Sequence, residues 1–141
     1  MAHTTTPQTP YGMRVEVALP YELAVERARA ELANEGFGVL TEIDVRQTLR
    51  KKLDVDFRPY VILGACNPPL AHRALTAERE IGLLLPCNVI VYAGDAPGRS
   101  VIAALDPVVQ LRLAGRPDLE PLAREVRQRL ERVLAALPGK T

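Results

Sequence analysis

The 141 residues are 48% hydrophobic and 25% charged, with a mean hydropathy of zero, the composition of a globular domain rather than of a disordered, fibrous or membrane chain. Eighteen basic residues against 17 acidic ones leave a net charge of +1, which argues against a surface built to grip DNA, RNA or an anionic membrane. Aromatic residues make up 4% and tryptophan is absent, leaving little material for a platform that stacks single-stranded nucleic acid.

Residues 1–10 hold four Thr and two Pro without periodicity and read as a mobile tail, so the expected organisation is a tail over 1–10 and one α+β domain over 11–141. Met13, Val15, Val17 and Leu19 alternate with Arg14, Glu16 and Ala18, the period-2 pattern of a strand, and Pro20 stops it. From Tyr21 to Glu35 the apolar residues Tyr21, Val25, Ala28 and Leu32 share one helical stripe, and Gly36 is placed to end the helix. Phe37 to Ile43 reads as a second strand. Asp44 then caps a short helix that is expected to turn Val45, Leu49 and Leu53 inward, with Arg46, Arg50, Lys51 and Lys52 outside.

Tyr60 to Ala65 is a continuous apolar run, which predicts a central strand covered on both faces. Asn67 before Pro68 and Pro69 is a helix start on two grounds: its side chain can accept from an unpaired amide, and proline in the first turn forfeits no needed bond. That helix runs to about Leu75, and Glu78 to Leu84 adds a turn or two. Cys87 to Ala93 and Arg99 to Leu105 form a hairpin across the turn residues Gly94, Asp95, Pro97 and Gly98. Asp106 and Pro107 start another short helix ending near Gly115, and Asp118 to Leu137 carries a broad apolar stripe as the last helix. The fold class this implies is α+β, one mainly antiparallel sheet with packed helices.

No apolar run approaches the roughly 18 residues of a membrane span. The opening Met-Ala-His-Thr-Thr-Thr-Pro lacks the basic and apolar regions of a secretion signal. A cytoplasmic location with reduced cysteines is therefore expected.

The chemistry concentrates in two Cys-Asn pairs, Cys66-Asn67 and Cys87-Asn88, on either side of a helical connection. Should their strands be antiparallel neighbours, both thiols lie at the same end of the sheet; a parallel crossover would separate them. Cys66 precedes a capped helix whose positive end favours thiolate, and His72 stands three and four residues beyond Pro69 and Pro68 on one helix face. The plain alternative is that both cysteines are small buried hydrophobes and His72 is a surface residue. Two thiols and one imidazole are too few for a closed tetrahedral zinc site without a further ligand. Asp54 and Asp56 beside Arg50 to Lys52 read as solvated ion pairs, and no phosphate-binding glycine loop or nucleophile elbow is present.

The segments ILGACNPPLAH (62–72), IGLLLPCNVIVY (81–92) and TEIDVRQTLRKKLDVDFRPY (41–60), with Ala104-Leu105-Asp106-Pro107, resemble the domain of unknown function 302 family. Gly64, Cys66, Asn67, Pro68, Ala71, Gly82, Leu85, Pro86 and Cys87 carry the resemblance, which spans essentially everything after the tail. It implies a small α+β fold similar to the TATA-binding-protein-like arrangement of strand, helix, four strands and helix, together with a homodimer. It does not imply DNA binding, because a fold does not transfer a function, and it brings no established activity or cofactor. The leading expectation is thus a ligand- or partner-binding protein with a pocket formed by Cys66, Asn67, Pro68, His72, Cys87 and Asn88, suited to a small anionic or amphipathic molecule. The alternative is a thiol-dependent redox or metal-contacting protein using Cys66 and Cys87.

Overall fold

The computed structural model describes residues 9–137; apart from Thr9 and Pro10, the expected tail lies outside these residues. Five strands, β1 (Gly12–Val17), β2 (Gly38–Asp44), β3 (Tyr60–Cys66), β4 (Cys87–Ala93) and β5 (Ser100–Leu105), form one sheet in the order β1-β5-β4-β3-β2. Every neighbouring pair is antiparallel. The helices are α1 (Tyr21–Asn34), α2 (Val45–Leu53), α3 (Pro68–Ala77), α4 (Pro107–Arg112) and α5 (Glu120–Ala136), with 3-10 turns at Arg79–Leu84 and Pro117–Leu119. Strand, helix, four strands and helix is the order of β1, α1, β2 to β5 and α5, with α2, α3 and α4 inserted; the α+β class expected from sequence is the class observed.

Alternation along the strands decides which residues meet the helices. Val17, Leu63, Val89, Val91 and Ile102 point to one face of the sheet and are essentially fully buried. On that face α1 contributes Ala24, Ala28 and Leu32, and α5 contributes Leu122, Val126, Leu130 and Val133, residues three, four or seven apart along one stripe of each helix. Burying each of the larger aliphatic side chains here is worth about 1.5–3 kcal/mol, so this layer between sheet and helices carries the stability. Within it, Ser100 donates to the Leu19 carbonyl at 2.7 Å, which satisfies its buried hydroxyl and gives it a structural task.

The capping residues act as their chemistry predicts. Asp44 accepts from the Gln47 amide, Asn67 from that of Leu70 and Asp106 from that of Val108, each opening a helix. One expectation fails. α2 buries none of its residues: Val45 and Leu49 are half-buried and Leu53 is 65% exposed. The cause is its position, since it packs chiefly against β3 and the edge strand β2, and β2 itself is exposed at every residue except Val39. Arg50 pairs with Asp54 and Asp56 in this exposed segment, as expected of solvated charges.

Candidate functional site

Because β3 and β4 are antiparallel neighbours, the two Cys-Asn pairs meet at one end of the sheet. Ala65 lies opposite Cys87, and Cys66 is the next residue along β3, opposite Gly38 of β2. Both thiols are free and line the same cavity, of about 350 Å³, between this end of the sheet and helices α3, α4 and α5. Leu70, Ala71 and Ala74 of α3, Gln110 and Leu111 of α4, and Leu122 and Val126 of α5 form its helical walls. Phe37, Leu40, Leu85 and Pro86 complete the apolar lining, and the Leu85–Pro86 peptide bond is cis. Among the described residues, none that lines the cavity is charged.

The few polar groups in the wall are mostly committed to the fold. Asn67 Oδ1 accepts from the Leu70 N–H at 3.4 Å while its Nδ2 donates to the Glu35 carbonyl at 3.4 Å, tying the start of α3 to the end of α1. Gln110 is buried and uses both ends of its amide: Nε2 donates to the Leu84 carbonyl, and Oε1 accepts from the Cys87 thiol at 3.7 Å. Among the described residues, that leaves the Thr41 hydroxyl and the Cys66 thiol as wall groups with no hydrogen-bond partner. Gly64 lets the wall close here, because a Cβ at that position would run into Thr41 Oγ1 and lie 2.9 Å from Pro86 Cγ.

Burial sets the state of the thiols. It pushes Cys66 above its ordinary range and Cys87 up to about 11, the latter helped by the negative charge that Cys66 would carry. Burial thus works against the thiolate that the start of α3 was expected to favour at Cys66. The positive end is also largely consumed, since Pro68 and Pro69 have no N–H, Leu70 N–H goes to Asn67 and Ala71 N–H to the Asn67 carbonyl.

Of the six residues singled out by sequence, the structure brings Cys66, Asn67 and Cys87 to the cavity. Pro68 and His72 are exposed on α3 and do not line it, and Asn88 is exposed on the other face of the sheet. Among the described residues no group of three or more His, Cys, Asp or Glu side chains is gathered as for a metal ion, so His72 does not join the two thiols.

A family profile described as "Domain of unknown function DUF302" matches residues 13–137. The chain belongs to this family. The cysteine segments that build one wall of the cavity are thus within the family's own span. A solved structure described as an uncharacterized conserved DUF302 protein from Bacillus stearothermophilus is 32% identical, with a TM-score of 0.82 over 90% of this chain and 98% of the other. No curated protein matches the chain.

What the sequence missed is the rest of the lining. Phe37, Leu70, Ala74, Leu122 and Val126 fit the apolar stripes of their elements whether they face protein atoms or a cavity. Gln110 carried a weak signal, being an amide in a helix otherwise made of Val, Leu and Pro before its terminal Arg. No helix among the described residues is long and apolar enough to cross a membrane.

Proposed function

We propose that this protein is a homodimeric binding protein whose cavity beside Cys66, Asn67 and Cys87 takes a small neutral or amphipathic molecule. The observation that carries the reading is the lining: an apolar concavity of about 350 Å³ with no charged residue among the described residues of its wall, within the usual range of ligand pockets. Since a cavity of about 150 Å³ accommodates benzene, this one has room for about a dozen carbon atoms.

The anionic option expected from sequence loses its support. Among the described residues no lysine, arginine or histidine lines the wall, and the amides at the start of α3 are absent or already bonded. An anion entering here would shed its hydration without a counter-charge or free donors in return. A neutral head is better served by the Thr41 hydroxyl and Cys66 thiol while its hydrocarbon lies against Leu70, Ala74 and Val126. The thiol-dependent alternative is also less favoured, because burial holds both sulfurs in the protonated, poorly nucleophilic form at neutral pH. A reduced, cytoplasmic setting accords with two free cysteines.

The test is thermal denaturation of the full chain with dodecanol, dodecanoate and inorganic phosphate. Saturating dodecanol is expected to add about 2–3 kcal/mol of stability at a hundred times its Kd, with dodecanoate weaker and phosphate inert. Stabilisation by phosphate and none by the alcohol would overturn the reading.

A further inference from the structure

The sheet has a second face, and its composition does not match its surroundings. Helices α1 and α5 cover the face that carries Leu63, Val89 and Ile102. On the opposite face the strand register sets Arg14, Ala103, Ile90, Ile62 and Ile43 side by side in one row across all five strands. The next row holds Glu16, the buried Val101, Tyr92 and Tyr60, the two tyrosine rings stacked with centroids 5.3 Å apart. No outward position of β3, β4 or β5 carries a charge. A solvated face of an antiparallel sheet normally shows polar residues at these positions.

We infer that this second face is a contact surface for a second copy of the same chain, packed sheet against sheet. The inference rests on the homodimer proposed above and is independent of the ligand. Three observations favour this occupant. First, the apolar run from Tyr60 to Ala65 is the pattern of a strand covered on both sides, yet Tyr60 and Ile62 are only half-buried and Ile43 is 49% exposed. Residues 1–8 offer only Met1, Ala2 and Pro7 as apolar side chains, a poor match for a surface of isoleucines and tyrosines.

Second, the dimensions suffice. Strands spaced about 4.8 Å apart and rising about 3.4 Å per residue give five strands of six or seven residues a face of about 24 by 20 Å. Two copies would cover about 1,000 Å² before side-chain relief is added, the threshold a specific interface has to clear and just under the usual range of about 1,200–2,000 Å². Third, the charge distribution suits self-association: the middle is uncharged, so two identical faces do not repel. The charges stand towards the margin: Arg14 on the edge strand β1, Glu16 paired with Arg99, and Arg58, which pairs with Asp95 and lies over the Tyr92 ring, giving an apolar centre and polar rim. A trough over Tyr11, Arg14, Tyr60, Ile90 and Tyr92 provides relief into which side chains of the other copy can fit.

The experiment is sedimentation equilibrium of the full chain, wild type and Asn88→Arg. Asn88 is exposed on this face, on the central strand β4 and one residue from its end, so the substitution leaves the core of one copy untouched and sets a charge at the end of the contact. The wild type should sediment at twice 15.5 kDa, and Asn88→Arg should weaken association on the order of 100-fold or more with circular dichroism unchanged. Leu83→Arg, at a site 83% exposed and away from the sheet, should remain dimeric. A second measurement independent of any variant is amide hydrogen exchange of the wild type on dilution, where β4 and β5 should lose protection as dimers separate. A wild type that stays monomeric would overturn both the homodimer and its interface. A wild-type dimer that Asn88→Arg leaves intact, or that Leu83→Arg disrupts equally, would overturn this face alone.

Discussion

Ala71→Phe tests the cavity most directly. Ala71 lies half-buried on α3 and lines the space. The substitution adds a six-carbon ring, and on the scale at which about 150 Å³ holds benzene that ring occupies close to half of the available 350 Å³. A ligand of about a dozen carbons would lose room for about half of them. At about 0.8 kcal/mol per buried CH₂ the loss is on the order of 5 kcal/mol, more than a thousandfold in Kd. The fold should not suffer, because the ring enters empty apolar space, and the melting temperature without ligand should hold or rise. The assay is a fluorescence titration with 1-aminoanthracene, a neutral probe of apolar cavities, followed by displacement with dodecanol. Ala30→Phe, on the exposed side of α1, is the matched control. Probe affinity in Ala71→Phe within a few-fold of wild type would refute the argument, because the ligand would then not be using this space.

Four further outcomes follow from the same geometry. Cys87 holds its proton more tightly in the fold than when unfolded, with a pKa of about 11 against an ordinary 9.0. The stability this contributes is complete below about pH 9 and is lost as pH rises towards 11, a fall on the order of 3 kcal/mol that urea denaturation should show and Cys87→Ala should abolish. In iodoacetamide labelling near pH 8, neither thiol should react faster than a free cysteine, and Cys87 should be the slower of the two; rapid labelling of Cys66 would revive the thiol-dependent reading. Asn67→Ala should cost about 1–2 kcal/mol by urea denaturation through the lost cap on α3, and Asn67→Ser should recover most of it. Gly64→Ala should destabilise by about 1–3 kcal/mol because its new methyl meets Thr41 and Pro86, and adding Thr41→Ala should relieve part of that cost.

Much of the fold was legible because local chemistry and global packing agree. The alternation of Met13, Val15 and Val17, the stripe from Leu122 to Leu134 and the caps Asp44, Asn67 and Asp106 each answer a local requirement that the tertiary structure also satisfies. The failures have a common physical origin. Leu53 fits an amphipathic helix, but amphipathicity shows which face is apolar and not whether anything lies against it; α2 sits beside an exposed edge strand. His72 shares a helix face with Pro68 and Pro69, and that face turns to solvent. The cavity escaped because helical periodicity is the same for Leu70 and Ala74 whether they touch other atoms or an empty space. The nearness of Cys66 to Cys87 was conditional on strand direction, which the structure supplies.

The Cys87-Asn88 pair on β4 is divided by the simplest property of a strand: consecutive side chains leave on opposite sides. Cys87 is buried towards the cavity and Asn88 is exposed on the other face, so two adjacent residues report on two separate proposals. A ligand-binding site complete within one chain predicts that Asn88→Arg weakens association while leaving 1-aminoanthracene affinity unchanged. Ala71→Phe should do the reverse, and the double variant should show each effect undiminished, as for sites on opposite sides of a sheet that share no partner. Leu40, 68% exposed although it lines the cavity, makes the outcome informative. If Asn88→Arg also weakens the probe, the cavity is completed across the interface, and the single-chain site argued above is wrong.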